Sequence, residues 1–360
     1  MKETATLLLL DRESIPIIRF QNDLLSKFEI KQAVTLNGWG IKSISDIDNR
    51  ESIEHIKLYN VEDVFDVETL IIIKPHRYCD FERHVLKFID QNMSTIKTII
   101  CNWADQTGYI EKLCYKNKIE YREIGYGNYA INENKGHLLQ LRTPIIYVAS
   151  ISEMSDKFMC QQSLFQYFID KGYSVELIGS KSYTELLGGK SFPLFMFDNT
   201  LSNSQKIIGF NHFLRDIEYV DNPDLIIVGI PGEIDGYVNG ISRYFDDIIY
   251  LVSKAVKPDV TVVSMLYNEI KNNKNLENML RYKYGWELEN VFVNNMMFDS
   301  QLSLAYKKKE YVKLDDNLIE NEVIELNKGG RTKFFTYAHL EIMCKNIEEQ
   351  LINFGNESIV

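Results

Sequence analysis

Residues 144–158 constrain this chain more than any other stretch. The apolar, β-branched run Pro144-Ile145-Ile146-Tyr147-Val148-Ala149 gives way to small and polar residues, Ser150 to Asp156, and then Lys157 and Phe158 open an amphipathic pattern. A buried strand that turns through a short loop into a helix is the frame on which loop amides and a helix N-terminus hold a phosphate. The spacing for that task is G-x-x-x-x-G-K-[ST]. With Lys157 on the lysine, Ile151 and Asp156 fall on the two glycines and Phe158 falls on the hydroxyl that would meet Mg²⁺. The frame and one cation are kept and the glycine cradle is lost. This fits a nucleotide-binding ancestry and argues against ordinary nucleotide hydrolysis.

Around this stretch, apolar strand patterns alternate with helical ones. Residues 1–140 carry strands at Ala5–Leu10, Lys31–Leu36, Thr69–Lys74 and Thr95–Cys101, with helices from Pro16, from Glu82 and from Gly108. Continuous apolar strands between helices make a parallel sheet covered on both faces. This half reads as a Rossmann-like or flavodoxin-like domain, without the G-x-G-x-x-G that a dinucleotide site needs after its first strand. The polar, glycine-bearing residues 125–143 read as a connection. Residues 141–360 repeat the layout, with strands at Ile145–Ala149, Ser174–Ile178, Leu225–Gly229 and Val260–Met265. Their end reads as a β-rich extension with strands at Val291–Val293, Leu302–Tyr306 and Val323–Leu326, closed by a helix near Ala338–Asn353. The expected fold is therefore α/β with two Rossmann-like parallel-sheet domains, 1–140 and 141–360, the second a degenerate phosphate-loop type.

The net charge of −11 lacks the basic field that nucleic acid requires. Lys307–Lys309 is followed at once by Glu310 and reads as a solvated run. No apolar stretch approaches the roughly 20 residues that span a bilayer, so a cytoplasmic chain without a membrane segment is expected. Five scattered cysteines without C-x-x-C indicate neither a disulfide framework nor a zinc site. The six histidines show no ligand pairing, and no metal is expected.

Several constellations could carry chemistry. Leu225–Gly229 and the following Ile230-Pro231-Gly232 have the rhythm of a strand that ends in a Mg²⁺-orienting acid, yet Gly229 holds the acid's place. With Phe158, two magnesium positions central to phosphoryl transfer are missing. Glu233 and Asp235 follow as substitutes or as solvated loop carboxylates. Ser152, Ser155 and Asp156 can cap the helix. Lys157 reads as a ligand for an anion on the loop amides, or as a surface lysine behind a capped helix. Asn268, after the fourth strand, either contacts a base or ends a turn. In the first half, Arg12, then Lys74, His76 and Arg77, stand at strand ends on the edge where open sheets carry ligands. Trp39 lies between two glycines on a loop. Phe192, Phe195 and Phe197 form an aromatic run that is either core or a groove for an apolar peptide or partner.

As a set, Asp11 to Arg19, Gly38-Trp39-Gly40, Ser155 to Phe158, Ser191 to Phe197 and Gly229 to Gly232 resemble the peptide maturation system protein family of natural-product clusters. Its members sit beside short cysteine-rich precursor peptides and radical SAM maturases. The resemblance implies an accessory role in making a ribosomally synthesised, post-translationally modified peptide (RiPP, bacteriocin-like), with the precursor peptide and the radical SAM maturase as partners. It transfers no catalytic residue. The second half is also similar to the dethiobiotin-synthetase and MinD type of phosphate-loop fold. The alternative is an enzyme using a nucleotide or phosphorylated ligand in the interdomain cleft. No cofactor is obligatory in either reading, a nucleotide is admitted as optional, and the composition is compatible with a homodimer.

Overall fold

A computed structural model describes residues 2–8, 14–21, 27–36, 43, 55–74, 81–102, 108–131, 136–234, 247–307 and 309–357, without the side chains of 81–82, 271–275 and 354–357. The chain divides into two compact units, Met1–Tyr126 with Ser182–Ser191, and Gly127–Lys181 with Phe192–Val360.

The first unit holds β1 (Glu3–Leu8), α1 (Ile15–Arg19), β2 (Phe28–Thr35), β3 (Lys57–Asn60), β4 (Thr69–Ile72), α2 (Phe81–Asn92), β5 (Thr98–Cys101), α3 (Tyr109–Asn117) and β6 (Glu120–Glu123). Its sheet is parallel in the order β3-β2-β1-β4-β5-β6. That is the 3-2-1-4-5-6 order of doubly wound sheets. All four residues of β4 are buried, as expected of an interior strand covered on both faces. Val85, Phe88 and Ile89 of α2, at helical spacing, pack with Leu70, Ile72 and Ile99 in one core.

The second unit begins with β7 (Ile145–Ser150), α4 (Lys157–Asp170), β8 (Val175–Gly179), α5 (Asn203–Asp221), β10 (Leu225–Gly229), α6 (Asp247–Ala255), β11 (Val260–Leu266) and α7 (Asn273–Met279); the two-residue strand β9 (Lys190–Ser191) lies in the segment grouped with the first unit. It continues with β12 (Asn290–Asn294), β13 (Met296–Phe298), α8 (Ser300–Tyr306), β14 (Tyr311–Lys313), α9 (Asp316–Leu326), β15 (Lys333–Phe335) and α10 (Leu340–Glu357). Six of its strands lie parallel in the order β15-β12-β11-β7-β10-β8. Helix α5 starts on a full capping box: Ser202 Oγ accepts from Gln205 N while Gln205 Oε1 accepts from Ser202 N.

Two parallel-sheet, Rossmann-like α/β units are thus present. The β-rich reading of the C-terminal part needs correction. Val291–Val293 is strand, but Leu302–Tyr306 lies in α8 and Val323–Leu326 lies in α9. The alternation Leu-Ser-Leu-Ala-Tyr mimics a strand period. Asp299 and Asp315 override it, because each accepts hydrogen bonds from first-turn amides and starts a helix. Among the described residues no helix is long and apolar enough to cross a membrane. Cys101, Cys114, Cys160 and Cys344 are buried cysteines.

Candidate functional site at the carboxyl edge of the second sheet

In the second unit the chain leaves β7 for β8 on one side, returns through β10 beside β7, and then crosses to β11 on the other side. The order reverses about β7, and ligands of open α/β sheets bind outside the strand carboxyl ends at such a switch point. Three loops meet there: 151–156 after β7, 230–234 after β10, and 267–272 after β11. They carry Ser152, Ser155, Asp156, Lys157, Glu233 and Asn268, so the structure brings these six candidates to one edge.

Their side chains are turned on the chain itself. Lys157 Nζ donates to the carbonyls of Ile230 at 2.5 Å and Gly232 at 2.7 Å. The one cation of the phosphate-loop pattern therefore braces the loop after β10. Asp156 sits with φ +55°, and Met154 two residues earlier has φ +62°. This is the position that the phosphate-loop pattern gives to its second glycine, and aspartate is a type that tolerates the left-handed region. Asn294 Nδ2, at the end of β12, donates to Met154 O at 2.7 Å and to Asp156 Oδ2 at 2.9 Å, and Tyr337 OH donates to the same oxygen. The carboxylate is held by these donors at the mouth of α4.

The magnesium positions are filled as well. Phe158 is buried in the first turn of α4. A Cβ on Gly229 would lie 2.0 Å from Gln161 Oε1. Gln161, from α4, is itself buried and fixed, with Oε1 accepting from Ser180 N at 3.0 Å. An acid at 229 has no room while Gln161 stands there.

Carboxylates gather beside these groups. Ser152 Oγ donates to Glu269 Oε1 at 2.6 Å, and Leu266 N donates to Glu269 Oε2 at 2.7 Å. Lys309 Nζ lies 3.3 Å from Glu153 Oε1 and 3.6 Å from Glu233 Oε2, and Tyr311 OH donates to Glu153 Oε1 at 2.8 Å. Burial pushes the Glu233 carboxyl above the ordinary glutamate value, against the opposing pull of Lys309. Burial, then the neighbouring Glu153, raises the Tyr311 phenol far above its usual range. Among the described residues no group of His, Cys, Asp and Glu is arranged to hold a metal ion.

Asn268 Oδ1 accepts from Phe298 N at 3.2 Å and so anchors β13. Asp235, Arg12, His76, Arg77 and Trp39 lie outside the described residues. Lys74 is exposed, and its backbone N–H donates to Asn102 Oδ1 at 2.6 Å. Of the two readings of the aromatic run, the structure shows core packing for Phe192 and Phe195, which are buried, with Phe192 stacked on Phe210 at 5.3 Å between centroids and edge-on to Phe197 at 6.0 Å. Phe197 is half-buried. Lys309 is a correction, since its side chain is only 16% exposed and ion-paired rather than solvated. Lys309 was read only as part of a solvated run, and Glu269, Asn294, Tyr311 and Tyr337 were not singled out in the sequence. Each reaches the loop from more than 100 positions away, and no local spacing announces such a contact.

The fold and this edge define a class: a two-unit α/β protein of doubly wound parallel sheets whose second switch point is closed by its own side chains. No protein-family model and no curated protein matches the chain. Among solved structures it is similar to a DUF1611 family protein from Anabaena variabilis ATCC 29413, with a TM-score of 0.64 at 9% identity, covering 98% of this chain and 100% of that one. At that identity the likeness shows the fold.

Proposed function

We propose that this chain is a cytoplasmic accessory protein for the maturation of a ribosomally synthesised peptide, one that binds the precursor peptide or its radical SAM maturase and turns over no nucleotide. The observation that carries the reading is the engagement of Lys157 with the Ile230 and Gly232 carbonyls. A cation spent on bracing a neighbouring loop does not neutralise a phosphate. Phe158 and Gln161, in the places of the magnesium ligands, support the same reading. The edge has the outline of a degenerate phosphate loop, with the left-handed backbone at Asp156 as its trace. A net charge of −11 suits a basic partner. The nucleotide-dependent alternative is weakened by Lys157 and also by Asn268, whose amide oxygen already accepts from Phe298 N.

Isothermal titration of the purified protein with a synthetic short cysteine-rich precursor peptide tests the reading. Saturable heat with peptide and none with ATP or GTP is expected. Heat with a nucleotide and none with the peptide or the maturase would overturn it.

A further inference from the structure

Between β12 and β15 the chain leaves the second sheet and returns to it. The two parts of this excursion are held differently. Helix α9 buries Ile319 and Val323 from one face, at helical spacing. The part before it, β13, α8 and β14, has little such anchorage. Of its described side chains only Met296 and Ser303 are buried. Leu302, Leu304, Tyr306 and Val312, the residues a core would take, are exposed. Apolar burial is the main force that fixes a segment to its domain, and a segment poor in it opens locally at low cost.

Polar contacts hold this part instead, and they converge on the switch-point loops. At one end Phe298 N donates to Asn268 Oδ1 at 3.2 Å. At the other, Lys309 Nζ lies 3.3 Å from Glu153 Oε1 and 3.6 Å from Glu233 Oε2. One ammonium thus joins the loop after β7 to the loop after β10. Tyr311 OH donates to the same Glu153 oxygen at 2.8 Å. The Lys309, Glu153 and Glu233 side chains are only 16%, 15% and 9% exposed. At that depth salt screens an ion pair little, and removing one partner strands the charge of the other. The grip is therefore concentrated in a few side chains. The two ends are also tied to each other, by antiparallel pairing from Met296 with Lys313 to Phe298 with Tyr311 and by the Phe298 and Tyr311 rings 5.7 Å apart. A piece closed on itself in this way moves as one body.

We propose that residues 296–307 and 309–313 form a lid against the switch point, latched by Lys309 on Glu153 and Glu233, which opens as a unit while the sheet stays folded. Opening takes the ammonium away from both glutamates and uncouples the loops after β7 and β10. The latch goes beyond the accessory reading and holds whichever partner the protein binds.

Hydrogen exchange read by mass spectrometry on the full chain tests it. In the parent, peptides from 296–313 should exchange about 100-fold faster than those from β11 and β12, the signature of a local opening. Lys309→Met keeps the aliphatic stem and removes the ammonium. It should speed exchange of the lid about ten-fold further and leave β11 and β12 unchanged. Glu153→Gln, nearly equal in size, should act in the same direction. Lys313→Met, at an exposed position of β14, should leave the lid as it is in the parent. Lid exchange as slow as that of β11 in the parent would overturn the proposal. So would a Lys309→Met lid that exchanges like the parent's, or β11 and β12 speeded as much as the lid, which is global unfolding and not a latch. An equal effect of Lys313→Met would also overturn it, by showing sensitivity to any lost charge. If Lys309→Met does not fold, the parent and Glu153→Gln decide by the same criteria.

Discussion

The carboxyl edge at β7 and helix α5 lie in the same unit and differ in how their polar groups are used. At the edge, Lys157, Asp156, Ser152 and Glu269 each meet a partner from the chain, while Glu233 Oε2 and Asn294 Oδ1 have no hydrogen-bond partner among the described residues. On α5, His212 Nε2 meets the His137 carbonyl, and among the described residues its buried Nδ1 meets no donor. A doubly wound sheet places its ligand at the switch point by default. Buried polar groups are nearly always paired, so side chains that the chain has already engaged at that position have less to offer a ligand than the same groups on an open loop.

Substitutions can break this contrast. The largest effect is expected at Phe158. Phe158→Ser restores the hydroxyl of the phosphate-loop pattern but empties a buried aromatic site, and should cost about 4 kcal/mol in urea unfolding. It should not create nucleotide binding, and tight Mg-ATP binding by this variant would break the account of the edge. Gly229→Asp comes next, at about 3 kcal/mol, because its Cβ meets Gln161 at 2.0 Å. Adding Gln161→Ala should return part of that loss, and strict additivity of the two costs would show that Gln161 is not what closes the position. Lys157→Ala removes two charge-assisted bonds to carbonyls and should cost about 1.5 kcal/mol.

A smaller effect concerns pH. The folded protein holds the Glu233 proton above the ordinary glutamate value of 4.5. The stability that Glu233 lends is therefore full below that value and is lost as pH rises through the raised one. Glu233→Gln should flatten this fall, so urea midpoints of the variant should gain on the parent as pH climbs from 4.5 upward. A parent that instead gains on the variant would mean that the Lys309 ion pair outweighs burial. The smallest effect is expected at exposed Asp216, where Asp216→Lys should change stability by less than about 0.5 kcal/mol.

Much of the fold was legible because strand burial is written locally. Thr69–Ile72, Ile145–Ser150, Leu225–Gly229 and Val260–Leu266 are β-branched or aliphatic runs, and all four are buried strands. The capping box that opens α5 is equally local. The helices α8 and α9 were misread because their apolar residues fit two periods, and one capping aspartate in each decides between them. At the edge, the loop residues were legible, but the direction of Lys157 was not, since Ile230 and Gly232 are more than 70 positions away. Nor does anything in His137 or His212 announce that the His212 ring will meet the His137 carbonyl 75 positions away.

Thermal unfolding with and without saturating Mg-ATP tests most directly the proposal that the chain's own side chains close the edge at β7. A ligand at about 100 times its dissociation constant adds roughly 2.7 kcal/mol, a shift of several degrees for a unit of this size. The account predicts no shift for the parent protein. A shift of several degrees that Lys157→Ala abolishes would contradict it.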